Sequence, residues 1–215
     1  MNIGIIGAGN LGTALARRLA SKGHPVMLSF RRDADKLKHE AEASGARAGT
    51  PSEAAEFGEV IVLAAPWTSV PEALRQVGDI SGNKVLWDCT NALKPDRSGL
   101  LIGTTTSGGE EVARLAPWAN VVKAIPPFAE ALHTPAVPGD GRPDVFICGD
   151  DAGARKFVAG LVEDIGASPV DAGPLKLARY AEPACMLLVQ LAYGQGLGPR
   201  ISLKLSRCGR ATSSE

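Results

Sequence analysis

Short runs of β-branched and aliphatic residues alternate along the chain with stretches whose apolar positions recur every three or four residues. That order builds a parallel sheet covered by helices. Residues 2–6 (NIGII) predict a first strand. The segment NLGTALARRLASKG predicts a helix with Leu11, Leu15 and Leu19 on one face and Gly23 closing it. A second strand follows at PVMLS, then a charged helix over residues 34–44 and a short strand over 46–48. TPSEAAEF predicts a helix capped by Thr50, with Pro51 in its first turn and Glu53 at the capping-box position. Residues 60–65 (VIVLAA) are apolar throughout, as a central parallel strand is. A helix from near Ser69 to Gly78 and a fifth strand, KVLWDCT, come next.

The pattern then loosens. Residues 91–109 predict mostly loop, 110–115 a helix, and 120–125 (NVVKAI) a sixth strand. Five prolines between Pro126 and Pro143 exclude regular structure there and suggest a loop covering a ligand. DVFICG predicts strand seven, AGARKFVAGLVEDIG a helix, SPVDAG strand eight, and residues 175–193 a long apolar helix. The polar end, SRCGRATSSE, is expected to fray. The expected division is a dinucleotide-binding unit over residues 1–125 and a smaller C-terminal lobe over 126–215. That lobe would extend the same sheet and complete a substrate cleft.

Composition narrows the function classes. The 215 residues carry 23 basic and 23 acidic side chains, so net charge is zero and nothing favours nucleic acid or an anionic membrane surface as partner. The longest later apolar run is far shorter than the ~20 residues of a membrane span, and residues 2–9 lack a basic leader. A soluble, cytoplasmic protein acting on a small molecule is expected. Cys89, Cys148, Cys185 and Cys208 form no CxxC pair, and no histidine sits near one in metal-ligand spacing, so no metal is expected.

GAGNLG (Gly7, Gly9 and Gly12 with Asn10 and Leu11) fits GxGxxG directly after a strand and at the start of a helix. Gly7 allows the tight turn, Gly9 lets backbone approach a pyrophosphate, and Gly12 lets helix pack on strand. The phosphates would rest on the N–H groups of Asn10 and Leu11, at the positive end of the helix dipole. At the end of the second strand, where an NAD site carries a carboxylate, stands SFRR: Ser29, Phe30, Arg31 and Arg32. Guanidinium groups hold a 2′-phosphate through paired hydrogen bonds, so the arrangement favours NADP(H). The fold class is therefore α/β, a Rossmann-type parallel sheet covered by helices, with a small C-terminal helical lobe.

Ala65, Pro66 and Trp67 after the fourth strand, and Asn91 after the fifth, lie at the edge where open α/β sheets bind ligands. His24 and His39 read as exposed, and His133 keeps a small chance of touching substrate. Arg179 and Glu182 read most simply as an ion pair with each other. The glycines of YGQGLG, Gly194 and Gly196 among them, permit close backbone approach to a flat ligand or a partner subunit. No GxSxG element, Cys/His signature or carboxylate dyad is present, so no catalytic side chain is named. Direct hydride transfer between stacked rings needs alignment and water exclusion more than a side-chain acid.

Together, GAGNLGTALARRLASKGHPV, the RR pair, APW after the fourth strand and CGDDAGARKFVAGLVEDIGASPVDAGPL resemble the NADPH-dependent reductases of coenzyme F420. The resemblance implies a homodimer in which hydride passes between nicotinamide C4 and C5 of the deazaflavin, a second ring substrate. It places that ring near Pro126, Pro127 and Phe128 and the turn carrying Gly194 and Gly196. Two positions depart from the family pattern. Phe30 replaces a small polar residue, and Pro126-Pro127 stands where relatives have His-Thr or Asn-Thr. A flavin in place of the deazaflavin, or a non-catalytic NADP(H)-binding redox sensor, are the alternatives the residues leave open.

Overall fold

The computed structural model describes residues 1–78, 80, 82–134 and 141–206. Eight strands form one sheet in the order β3-β2-β1-β4-β5-β6-β7-β8. In chain order the elements are β1 (Ile3–Ile6), α1 (Asn10–Ser21), β2 (Val26–Ser29), α2 (Ala34–Ala43), β3 (Arg47–Ala48), α3 (Pro51–Phe57), β4 (Val60–Leu63) and α4 (Val70–Val77). They continue with β5 (Lys84–Asp88), α5 (Gly108–Leu115), β6 (Ala119–Lys123), α6 (Ala129–Leu132), β7 (Asp144–Gly149), α7 (Ala152–Asp164), β8 (Ser168–Gly173) and α8 (Ala178–Val189). Strand order reverses at β1, with β2 on one side and β4 on the other, and this opens a crevice at the carboxyl ends of the strands.

Alternation along each strand explains why the sheet is covered on both faces. Ile3 and Ile5 of β1 join Val60, Val62, Trp87 and Val122 in one buried layer, under Leu15 and Leu19 of α1 and Val158 and Leu161 of α7. Ile6, Ile61, Leu63, Leu86 and Val121 point the other way, onto Ala54 and Ala55 of α3, Leu74 of α4 and Val112 of α5. Helix ends are satisfied locally. Thr50 and Glu53 make the capping box on α3, Asp33 caps α2, and Asp151 caps α7. Lys84 Nζ donates to the carbonyls of Ala55 and Gly58 at 2.6 and 2.8 Å, where α3 leaves acceptors unpaired.

Three expectations change. The sheet is not wholly parallel, because β7 runs antiparallel to β6 while β8 runs parallel to β7. The proline-rich stretch contains one regular turn, α6, held by Leu132 N–H donating to the Phe128 carbonyl and by Arg18 Nε donating to the Leu132 carbonyl at 2.7 Å. Residues 135–140 of that stretch lie outside the described residues. The expected long C-terminal helix is α8 entered through a 3₁₀ turn, Leu175–Leu177, and left through a π-helical turn, Gln190–Gly194. No helix among the described residues is long and apolar enough to cross a membrane.

Gly4, inside β1, faces α3 so closely that a Cβ would collide with the Ala54 carbonyl. Gly160 is in the exposed interior of α7, with open space beside it. Gly4→Ala is therefore expected to destabilise by about 1–3 kcal/mol, as overpacking does. Gly160→Ala should stabilise by roughly 0.5–1 kcal/mol. Urea denaturation of both variants reads this, and an unchanged Gly4→Ala midpoint would contradict the close β1 to α3 contact.

Candidate functional site

The registers align the last residues of five strands in one row: Ser29, Ile6, Leu63, Asp88 and Lys123. The chain leaves every one of these strands on the same edge, so the loops that follow gather there. Gly7 begins the first loop at φ 128°, and a Cβ on it would meet the carbonyl of Ala64. Gly12 lies against the Gly7 carbonyl, where a Cβ would overlap that oxygen. Gly9 differs from both, since nothing lies within 4 Å of the place its Cβ would take. It is also the N-cap of α1, and among the described residues no side chain accepts the first N–H groups of that helix.

Two cavities flank this turn. The first, about 880 Å³, is lined by Gly7, Ala8, Gly9, Phe30, Arg31, Arg32 and Pro66, with Thr50, Ser69 and Glu72 among its other walls. Phe30 bends the chain sharply after β2, at φ 62°, in the left-handed region a side chain rarely occupies. The bend turns Arg31 back over the glycine turn, where Nη1 donates to the Ala8 carbonyl. Arg32 is exposed.

The second cavity, about 300 Å³, lies on the other side of the turn. Asn10, Leu11 and Asn91 form one wall, and Pro126, Pro127 and Phe128 another. Cys185, Val189 and Tyr193 come from α8 and its π turn. The first residues of β7, Asp144 and Phe146, complete it with Ile201, Ser202 and Leu203. That last segment is strapped to β7: Asp144 N–H donates to the Leu203 carbonyl at 3.1 Å, and the Asp144 carboxylate accepts from Lys204 Nζ and Leu205 N–H. The lining is mostly apolar. Burial pushes the Cys185 thiol up to about 12, so it is no nucleophile at neutral pH. Asn91 Nδ2 donates to the Glu182 carbonyl at 3.3 Å, whereas its Oδ1 is buried without a partner among the described residues.

Beneath this cavity lies a charge cluster. Lys123 Nζ is 2.6 Å from Asp88 Oδ2 and 3.2 Å from Glu182 Oε1, and all three side chains are at most 1% exposed. The ammonium also donates to the Thr90 carbonyl at 2.8 Å. Asp88 Oδ2 faces the ammonium as an ion-pair partner, while Oδ1 accepts from Thr90 N–H and Oγ1. Glu182 accepts from Gly108 and Gly109 N–H at 2.8 and 2.9 Å, at the amino end of α5 where the helix dipole favours a carboxylate. Burial alone would lower the Lys123 pKa. Asp88 and Glu182 more than offset it and hold the pKa above the ordinary 10.5.

The structure brings Gly7, Gly9, Phe30, Arg31, Arg32 and Pro66 to the first cavity and Asn10, Leu11, Asn91, Pro126, Pro127 and Phe128 to the second. It presents several other expected residues elsewhere. Ser29 is fully buried, and its hydroxyl donates to the Ile5 carbonyl at 2.9 Å, so it faces the strand and not a ligand. Ala65 is buried in the core, and Trp67 packs beside it, over Gly108. Gly194 lines a third, shallower cavity with Arg97 and Tyr193, and Gly196 lines none of the three. Arg179 does not pair with Glu182; it binds Glu110 through two hydrogen bonds of 2.8 and 2.6 Å. His24 is half-buried against Asp164 at 2.9 Å, whereas His39 and His133 are exposed. Cys89 and Cys148 are buried, Cys185 is half-buried in the cavity wall, and Cys208 lies outside the described residues. Among the described residues no group of three His, Cys, Asp or Glu is arranged to hold a metal.

The residues fit a dinucleotide on three counts: the open flank of Gly9, the amino end of α1 without a side-chain cap, and the unpartnered Asn91 Oδ1. Comparison with known proteins agrees with that geometry. Residues 2–92 match the family described as NADP oxidoreductase, coenzyme F420-dependent. The chain is 31% identical to Metalloreductase STEAP3 of Rattus norvegicus over 180 residues, 84% of this chain and 35% of that one. It thus spans about a third of that relative's length. It is 29% identical to F420-dependent NADP reductase of Methanothermobacter marburgensis over 207 residues, 89% of this chain and 92% of that one. A solved structure of a candidate F420-dependent NADP reductase from Arthrobacter sp. FB24 superposes with a TM-score of 0.83 at 27% identity, covering 95% of this chain and 99% of that one. A reductive aminase from Aspergillus terreus in complex with NADPH and ethyl levulinate shares the fold, with a TM-score of 0.66 at 20% identity, over 91% of this chain and 62% of that one.

Because the space beside Gly9 is open, Gly9→Ala should leave the thermal midpoint of the free protein unchanged and weaken NADPH by about tenfold or more. Isothermal titration with a melting curve separates the two effects, and a variant that binds NADPH normally would remove the pyrophosphate from this flank. Lys123→Met leaves two buried carboxylates without a counter-charge and should cost about 3–5 kcal/mol at pH 7. In the parent, the raised lysine pKa means this contribution is complete below 10.5 and is lost only as pH climbs through the folded-state value. Denaturation of parent and variant at pH 7, 9 and 11 tests both statements.

Proposed function

We propose that the chain, whose residues 2–92 match the coenzyme F420-dependent NADP oxidoreductases, passes hydride as a member of that family between NADP(H) and the deazaflavin ring of coenzyme F420. The observation that carries this reading is the pair of cavities meeting at the Gly9–Asn10 turn, one bordered by two arginines and the other a mostly apolar slot. NADPH, when bound, supplies the hydride. The protein's own residues bind, orient and exclude water.

Arg31 and Arg32 hold the 2′-phosphate at the end of β2. The N–H groups of Asn10 and Leu11 at the start of α1 face the pyrophosphate. Asn91 Oδ1 is a free acceptor on the nicotinamide side, and Pro126, Pro127 and Phe128 form the face on which a second flat ring would lie. Alignment of two rings in a dry slot supplies most of what such a transfer needs. The Lys123 ammonium is fully engaged by Asp88, Glu182 and Thr90, so it positions the cavity floor and is not a proton donor to substrate. Pro126-Pro127 offers no N–H to a ring, which favours a second reading in which the acceptor is a flavin or another ring.

NADPH oxidation by the purified protein with coenzyme F420, FMN or buffer alone, repeated with NADH, tests the proposal. Turnover with NADPH and F420 and none with FMN is expected. Turnover with FMN alone would move the acceptor to a flavin, and NADPH binding without any turnover would make the chain a redox sensor. Replacing Arg31 and Arg32 together by Ala should raise the KM for NADPH about tenfold or more while leaving NADH nearly as before. Equal losses for both cofactors would count against the 2′-phosphate assignment.

A further inference from the structure

Resting on that reading, we infer that the second substrate carries an anionic tail and that Arg97, at the mouth of the ring cavity, is the residue that selects for it. Two cations line the cavity, Lys123 and Arg97. Lys123 is consumed by Asp88 and Glu182. Among the described residues no carboxylate pairs with Arg97. Its guanidinium lies 4.8 Å above the centre of the Tyr193 ring, and that ring meets Phe128, on the cavity wall, edge to face at 5.7 Å. The cation is held over the ring, and among the described residues its guanidinium N–H groups donate to no protein acceptor, so they remain for a ligand.

The arginine is also held in place. Its backbone sits at φ 59°, in the left-handed region, and is fixed by Arg97 N–H donating to the Lys94 carbonyl at 2.9 Å and by Gln190 Nε2 donating to the Arg97 carbonyl at 2.6 Å. An ordinary surface arginine has no need of that conformation, and such strain collects where a fixed side chain is useful. The partner of this restraint, Gln190, begins the π-helical turn that also carries Tyr193.

The space beyond Arg97 fits a tail. A shallower trough of about 510 Å³, lined by Pro95, Asp96, Ser98, Gln190 and Gly194, shares Arg97, Val189 and Tyr193 with the ring cavity. A ring in the slot therefore has one continuation that passes Arg97. Two carboxylates in the neighbourhood have to be weighed. Asp96 is turned onto the N–H of Ser98 at 3.0 Å, inside its own turn. Glu130, on α6, lines the ring cavity but not the trough, and among the described residues it forms no ion pair with Arg97. Shared chemistry at Arg97 is a phosphate or carboxylate on the chain leaving the ring, whether the phosphodiester of coenzyme F420 or the phosphate monoester of FMN.

Two ligand pairs separate the ring from its tail. One is coenzyme F420 and the same deazaflavin whose ribityl chain ends in a free hydroxyl, read by kcat/KM with NADPH. The other is FMN and riboflavin, read by equilibrium binding to the NADP⁺ complex. The parent protein should prefer the tailed member of the pair it accepts by roughly 10- to 100-fold. Arg97→Ala should bring that ratio to within about twofold of one, and Arg97→Lys, which keeps the charge without the stacking plane, should retain part of it. No preference in the parent, or a preference that survives Arg97→Ala, overturns the inference even if F420 is the acceptor. Absence of turnover would sink the F420 reading alone, because the FMN and riboflavin ratio still reports on Arg97. Failure of the parent to bind any of the four ligands would overturn both.

Discussion

The Lys123 ammonium has no solvent contact, and an isolated charge in that position would be far too costly to keep. It persists because one carboxylate arrives from the neighbouring strand and another from a helix about sixty residues further along. Asp88 and Lys123 are register partners, so their proximity follows from sheet pairing alone. Glu182 is different. It is drawn to the same spot by Lys123 and by two N–H groups of α5, and with it comes the whole of α8. Cys185, Val189 and Tyr193, which wall the second cavity, are placed by that anchor together with the Arg179–Glu110 pair and the Gln190 bond to the Arg97 carbonyl. Gly108 and Gly109 make the approach possible, since a Cβ on either would crowd Glu182, Trp67 or Lys123.

Local patterns made much of the fold legible. Thr50, Pro51 and Glu53 announced the start of α3, and the unbroken apolar run at Val60 announced a central strand. GAGNLG followed by a helix located the crevice, because the strand, the turn and the helix start that the motif needs are contiguous in the sequence. What stayed hidden depended on distance along the chain. Nothing near Glu182 signals that it crosses to Lys123, so its nearest cation, Arg179, was the natural partner to expect. The available hint was a lone charge inside an apolar strand, Asp88 in KVLWDCT and Lys123 in NVVKAI. Ser29 misled for a related reason: a hydroxyl beside two arginines suggests a ligand, yet the strand pairing turned it onto the Ile5 carbonyl. The reversal of β7 leaves no local mark either, because parallel and antiparallel neighbours draw on the same apolar residues.

The glycines divide into those the protein needs for itself and those it leaves for something else. Gly4, Gly7 and Gly12 each stand against backbone, where a methyl group has no room. Gly9 stands against nothing. Four glycines within nine residues thus look alike in the sequence and differ in what they border. The same distinction separates the two arginines at the end of β2, one tied back to the Ala8 carbonyl and the other open to solvent.

Only Cys148 and Gly149 of β7 pair with β6, so residues 144–147 run past the end of β6, and Asp144 and Phe146 among them line the second cavity. At about 3.4 Å per residue, that overhang sets the depth of the slot with rigid strand and not with loop. Lengthening or shortening β7 and its partner β8 together would therefore resize the slot without disturbing the glycine turn or the arginines. The two cavities thus answer to different ends of one continuous sheet.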